Sequence, residues 1–149
     1  MLSILADAPG ISLIGIGGVV YGGAWSFVGS LAEAAIRRFH SNQAFLGITS
    51  LSLTRGLTEI NYFEAEIKSQ IIKQSQRVVL LADSSKFEKV SPISVASLFD
   101  INVIISDDLL DEQLAQAYRG SGPELIIAQT MKKLTNSEQA NLPENYGTS

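Results

Sequence analysis

Five consecutive apolar residues, Val78-Val79-Leu80-Leu81-Ala82, run straight into Asp83-Ser84-Ser85-Lys86. A strand that is apolar at every position is buried on both faces, as in a parallel sheet flanked by helices. In open α/β sheets, ligands bind beyond the carboxyl ends of such strands. An acid, two hydroxyls and a lysine placed there can hold a polyol, with the ammonium left for an anion. The plainer alternative is that Asp83 caps the following turn and Lys86 is solvated.

The rest of the chain alternates in the same way. Met1–Ala8 reads as the end of a helix stopped by Pro9-Gly10. Ile11–Ile16 reads as a strand feeding Gly17-Gly18, and Leu31, Ala34, Ala35 and Phe39 recur at helical spacing. Ala44–Ile48 is a second buried-strand candidate, and Leu51–Thr58 is a loop or short ribbon around Gly56. The clearest helix is Asn61–Gln76, with Ile60, Phe63, Ile67 and Ile71 on one stripe. Ile101–Ile105 repeats the strand pattern, Asp111–Tyr118 is helical with Gly120 as its stop, and Leu125–Ala128 is a last short strand. Strands alternating with helices imply an α/β, three-layer, mostly parallel sheet. From Gln129 onward the composition turns polar. The expected division is therefore a domain over residues 1–128 and a segment over 129–149 that is weakly ordered or docks on a partner.

Several functions are excluded by what the chain lacks. There is no cysteine and only one histidine, His40, so thiolate and multi-histidine metal sites are ruled out. A net charge of −4 offers no basic footprint for nucleic acid. No run reaches the ~18 apolar residues of a membrane span, and no basic start marks a signal peptide. A cytoplasmic protein with no membrane partner is the expectation. Gly15-Ile16-Gly17-Gly18 is not a dinucleotide fingerprint, and no cofactor is called for. The carboxylates Asp107, Asp108, Asp111 and Glu112 precede a helix, where its dipole accounts for them without a metal.

The candidate binding residues are Gly17, Gly18, Glu64, Lys68, Asp83 and Lys86. Gly17-Gly18 lets a ligand approach the backbone, or simply makes a tight turn. Glu64 and Lys68 stand four apart on a helix, an ion pair worth roughly 0.3–0.5 kcal/mol if it faces solvent. Either Glu64 or Glu66 can face a pocket, but not both, because residues two apart on a helix point to different faces. Trp25 and Phe27 are either core residues or interface anchors.

From about Ile11 to Ala128 the chain resembles the C-terminal sensor domain of DeoR-type bacterial transcriptional repressors. The matching pieces occur in order: Gly17-Gly18, Gly29 before a helix, Ala44-Phe45-Leu46-Gly47, Gly56-Leu57-Thr58, and Glu64-Ala65-Glu66 with Lys68. Val78–Phe87 follows, and Ile104-Ile105-Ser106-Asp107 stands where the family carries Ile-Thr-Asp. The resemblance implies a fold like ribose-5-phosphate isomerase, glucosamine-6-phosphate deaminase and the CoA transferases. It also implies binding of a phosphorylated sugar or related metabolite, a homo-oligomer, and DNA contact only through a helix-turn-helix domain that this sequence does not contain. The family's Asp-x-Gly-Thr-Thr phosphate loop is not found either, so the domain is expected to be truncated on its N-terminal side, with a sheet edge in need of a cover.

Two other functions compete with sensing. A self-association module needs only the surface. A phosphosugar isomerase needs a positioned base and an oxyanion-stabilising group. The related isomerases carry Asp-Gly-Ala-Asp after the strand matching Ala44–Ile48 and later Lys-Gly-Gly-Gly. Gly47-Ile48-Thr49-Ser50-Leu51 holds no acid and the second motif is missing, so the expectation is a non-enzyme.

Overall fold

The computed structural model describes residues 8–21 and 26–129. The helix expected at the amino terminus, Trp25 and the polar carboxyl-terminal segment fall outside these residues. Nine strands and three helices follow in order: β1 (Val19–Tyr21), β2 (Ser26–Val28), α1 (Ser30–Ile36), β3 (Ala44–Gly47), β4 (Ser50–Ser52), β5 (Gly56–Glu59), α2 (Tyr62–Lys73), β6 (Val78–Leu81), β7 (Ile93–Ala96), β8 (Val103–Asp107), α3 (Glu112–Arg119) and β9 (Glu124–Ala128).

The apolar runs form one four-stranded sheet, ordered β3-β6-β8-β9, with every neighbouring pair parallel. The fully apolar strand β6 is interior, as its composition requires. In the register, Leu46 pairs with Leu80 and Leu80 with Ile104. Leu80 and Ile104 are fully buried, and these rows meet Leu51 and Leu57 of a second, three-stranded antiparallel sheet, β4-β5-β7. The mixed α/β class expected from the sequence is what forms. The antiparallel sheet is an addition, because β7 carries Ser94 and Ser97 within and beside it and gives no apolar run.

Helix α2 starts at Tyr62 because Asn61 caps it, accepting a hydrogen bond from the Glu64 N–H at 3.1 Å. The stripe expected on this helix is only partly buried. Ile60 lies before the cap and Phe63 in the first turn, and both are exposed. The helix is instead wedged between two clusters. Ala65 and Ile72 join the main core, while Ile67 packs with Val28, Ala32 and Ile36. Helix α3 is capped by Asp111, which accepts from the Gln113 and Leu114 amides, and it ends at Gly120 as expected.

Residues 11–16 make no strand. No described strand pairs with them, so their apolar side chains have no ladder to hold them in place. Ile14 and Ile16 instead line a cleft of about 380 Å³ beside Ala44 and Phe45 of the edge strand β3.

A latch closes the other end of the molecule. Tyr118 is fully buried, stacks edge-on against Phe87 at 4.8 Å, and donates its hydroxyl to Glu88 at 2.8 Å. Burial, reinforced by the Glu88 carboxylate, pushes the phenol far above its ordinary value. Glu88 also accepts from the Leu53 N–H at 3.1 Å, which helps to hold its backbone in the left-handed region at φ 49°.

Two truncations separate core from surface. Leu80→Ala is expected to cost about 2–5 kcal/mol in chemical denaturation, whereas Phe99→Ala, at a side chain 86% exposed, should stay within about 0.5 kcal/mol. Equal losses would contradict the assigned core.

Candidate functional site

Polar residues gather at two places: past the carboxyl ends of the parallel strands, and between α2 and the end of β5 in the antiparallel sheet. The first surrounds the end of β6. Asp83 leaves the strand extended, and its side chain accepts from the Ser85 N–H at 2.9 Å, capping the short turn Ser84–Lys86. Hydrogen bonding from the Ser85 side chain, then the capping amide and the charge of Lys86, outweigh desolvation and draw the Asp83 carboxyl below its ordinary value. Capping does not hide Asp83 from a ligand. With Leu81, Ala82, Ile105, Ser106 and Asp107 it lines a hollow of about 360 Å³ at the ends of β6, β8 and β9. Asp107 accepts from the Ser84 and Leu109 amides at 3.3 and 3.2 Å. The Ser106 hydroxyl is buried without a hydrogen-bond partner. An unpaired buried hydroxyl is costly and marks a place where a further polar group would be welcome. Lys86 is half-buried and does not line the hollow.

The second group is built on α2 and the end of β5. Glu59 closes β5 at 1% exposure, an unusual place for a carboxylate. It accepts from the backbone N–H of Thr49 at 3.1 Å, from the Thr49 hydroxyl and from the Lys68 ammonium. Burial by itself pushes the carboxyl up. The hydrogen bonds from Lys68 and Thr49, with the Lys68 charge, outweigh it and hold Glu59 below its ordinary value. Lys68 also faces Glu64 at 3.6 Å, and Glu64 accepts from the Ser26 hydroxyl of β2 at 3.4 Å. The helical pair expected from the sequence therefore exists, and Glu64 rather than Glu66 is its acid. It is not simply a surface pair, because Lys68's shorter contact is with a buried carboxylate.

Register relates the two groups. Gly47 of β3 pairs with Leu81 of β6, so Thr49 and Asp83 follow two residues after a matched pair on adjacent parallel strands. The structure thus gathers Glu64 and Lys68 around Glu59, and Asp83 around the hollow with Asp107 and Ser106. Gly17 and Gly18 belong to neither hydrogen-bonded set. A side chain at Gly18 would come within 2.8 Å of the Val28 carbonyl and 3.0 Å of Ala32, so its bareness lets the chain pass closely over β2 and α1. Gly17, with φ 69°, opens on free space. Phe27 packs against the Val28–Ile67 cluster as a core residue.

Sequence reasoning missed Glu59 and Ser106. Glu59 follows Leu57-Thr58 and precedes Ile60, so an acid inside an apolar stretch, nine residues before a lysine, was the available signal. For Ser106 the signal was its place in Ile104-Ile105-Ser106-Asp107, where the family carries Ile-Thr-Asp, because a serine at a strand end is otherwise unremarkable. Among the described residues, no group of three or more acidic or histidine side chains is arranged to hold a metal ion, and no helix is long and apolar enough to cross a membrane.

A parallel α/β sheet with polar groups gathered at its carboxyl edge is the class of domain that takes small molecules at that edge. Comparison with known proteins makes the assignment specific. The family model described as the DeoR C terminal sensor domain matches residues 1–108. The chain belongs to this family. It is 41% identical over 78% of its length to a protein named for transcriptional regulation of the sgc region in Escherichia coli K12. It is 33% identical over 76% to the uncharacterized HTH-type regulator YulB of Bacillus subtilis, and 34% identical over 76% to the L-fucose operon activator of Haemophilus influenzae. These alignments cover 45%, 44% and 45% of the three relatives, so the chain spans a little under half their length. Repressor and activator names both occur among the matches. The relatives named here are regulators of transcription or of an operon, the non-enzymatic class that the sequence pointed to.

Acid sensitivity follows from Glu59. A carboxyl lowered on folding contributes stability above its ordinary range, and that contribution is lost as pH falls through the lowered value. Glu59→Gln should cost about 1–3 kcal/mol at pH 7, with the gap to the parent chain narrowing in acid. Stability curves that run parallel from pH 7 to pH 3 would contradict the pairing.

Proposed function

We propose that this chain is the effector-binding part of a DeoR-type transcriptional regulator and that its effector is a phosphorylated sugar or a related hydroxylated anion. The observation that carries this reading is the acidic hollow at the carboxyl ends of β6, β8 and β9, with Lys86 in the turn that follows Asp83 and Lys68 anchored through Glu59 to Thr49 past the end of β3. Asp83 and Asp107 can accept bonds from sugar hydroxyls, the unpaired Ser106 hydroxyl can join them, and Leu81 and Ile105 offer an apolar floor for a ring. Two carboxylates repel a phosphate. The anionic end of such a ligand is therefore placed outside the hollow, toward Lys68 or Lys86. Gly17 and Gly18 act one step removed, seating the β1–β2 hairpin whose Ser26 touches Glu64. The operon names among the relatives, L-fucose for one, support an effector derived from sugar metabolism.

In the longer relatives such a domain would pass occupancy to a DNA-binding part by favouring one arrangement of an oligomer. The exposed apolar side chains of Val19, Val20 and Tyr21 on one hairpin, with Phe45 on the edge strand, support self-association of this chain.

Calorimetry against a panel of sugar phosphates tests the effector. Saturable binding is expected, weakened about tenfold or more by Asp83→Asn, with the matching unphosphorylated sugars much weaker. A folded sample that gives no heat with any member of the panel at millimolar concentration would overturn the proposal.

A further inference from the structure

Lys68 is held by two carboxylates of very different tenacity. Glu59 is buried and takes three donors, so it cannot leave without stranding the Thr49 amide and hydroxyl as well as the ammonium. Glu64 is partly exposed, stands 3.6 Å from the ammonium and, among the described residues, is tied on its other side by Ser26 at 3.4 Å. Both distances lie at or beyond the long end for a hydrogen bond. The cluster also carries one negative charge too many, with two carboxylates against one ammonium. An incoming anion would be opposed by that excess unless one carboxylate withdrew.

We infer that an anionic effector reaches Lys68 by displacing Glu64, while Glu59 keeps the ammonium in place. This rests on the effector-binding reading above and adds to it a competitor built into the site. Lysine has three N–H donors, so the exchange leaves the Glu59 bond intact and gives the vacated direction to the ligand. Glu64, in the first turn of α2, can turn into solvent at little cost, because its carboxylate stays near the positive end of the helix dipole.

The displacement has a structural consequence. Ser26 belongs to β2, which pairs with β1 in a two-stranded hairpin, and its bond to Glu64 is the polar tie between that hairpin and α2. An isolated two-stranded hairpin is marginal and depends on what it packs against. Moving Glu64 leaves the described part of the hairpin held to α1 and α2 by apolar packing, chiefly of Phe27 and Val28. Strand β1 of the hairpin carries Val19, Val20 and Tyr21, all exposed, with Val20 on the face opposite to the other two. Occupancy of Lys68 therefore loosens an apolar surface on a neighbouring element.

The test uses the full 149-residue chain and inorganic phosphate as the probe, with affinity read by calorimetry and hairpin amides by hydrogen exchange. Glu64→Ala is expected to bind phosphate about tenfold tighter than the parent chain. Its amides at 19–21 and 26–28 should exchange fast whether or not phosphate is present. In the parent chain, saturating phosphate should speed exchange at those amides, and Lys68→Met should abolish binding in both backgrounds. Unchanged or weaker binding in Glu64→Ala, or phosphate-induced protection of the hairpin, would overturn the exchange. Binding that survives Lys68→Met would overturn it too, while leaving an effector site at Lys86 intact. If no variant binds phosphate and none binds a sugar phosphate, the effector reading falls together with the inference.

Discussion

A carboxylate sealed inside a protein must be paired, and the pairing of Glu59 organises one whole side of this domain. At the end of β5, it takes its partners from two elements separate in sequence: the residues following β3 and the second turn of α2. Replacing a whole buried ion pair by apolar side chains often stabilises a fold, whereas removing Glu59 alone would strand the Thr49 donors and the Lys68 ammonium. What apolar side chains would not do is fix an ammonium past the end of β3. Lys68 is held there firmly by Glu59 and loosely by Glu64, a graded arrangement that a purely structural ion pair does not need.

The division of charge between the hollow and Lys68 sets the kind of molecule they suit. The hollow at the ends of β6, β8 and β9 is acidic and apolar, a lining for hydroxyls and a ring face. The cation stands to one side, past the end of β3. A compact dianion by itself gains little from the hollow, and a neutral sugar gains little from the lysine. A molecule that is hydroxylated at one end and anionic at the other uses both.

The strands β3, β6, β8 and β9 were legible in the sequence as apolar runs, although only the interior β6 and β8 are buried along most of both faces, and the outer β3 and β9 leave alternate residues exposed. Helices α2 and α3 were legible through Asn61, Asp111 and Gly120, whose capping roles depend only on local geometry. Long-range packing was not legible. Residues 11–16 carry a strand-like composition, but a strand also needs a neighbour, and that is settled far away in the chain. The stripe through Ile60 and Phe63 failed because α2 is wedged between two clusters, which a single-face helical pattern does not describe. Glu64, Lys68 and Asp83 were visible as residues, but the centre of their network, Glu59, was not. A buried acid is identified by its partners, and those lie ten residues before it and nine after.

The most direct test of the central claim is a two-dimensional amide and lysine-ammonium NMR titration of the full chain with a sugar phosphate that binds. The account predicts that the largest changes fall at Thr49, Lys68, Asp83, Ser106 and Asp107, with the Lys68 ammonium resonance shifting while its contact to Glu59 persists. Changes confined to the surface around α3 or β7, with Lys68 and Asp83 unmoved at saturation, would contradict it.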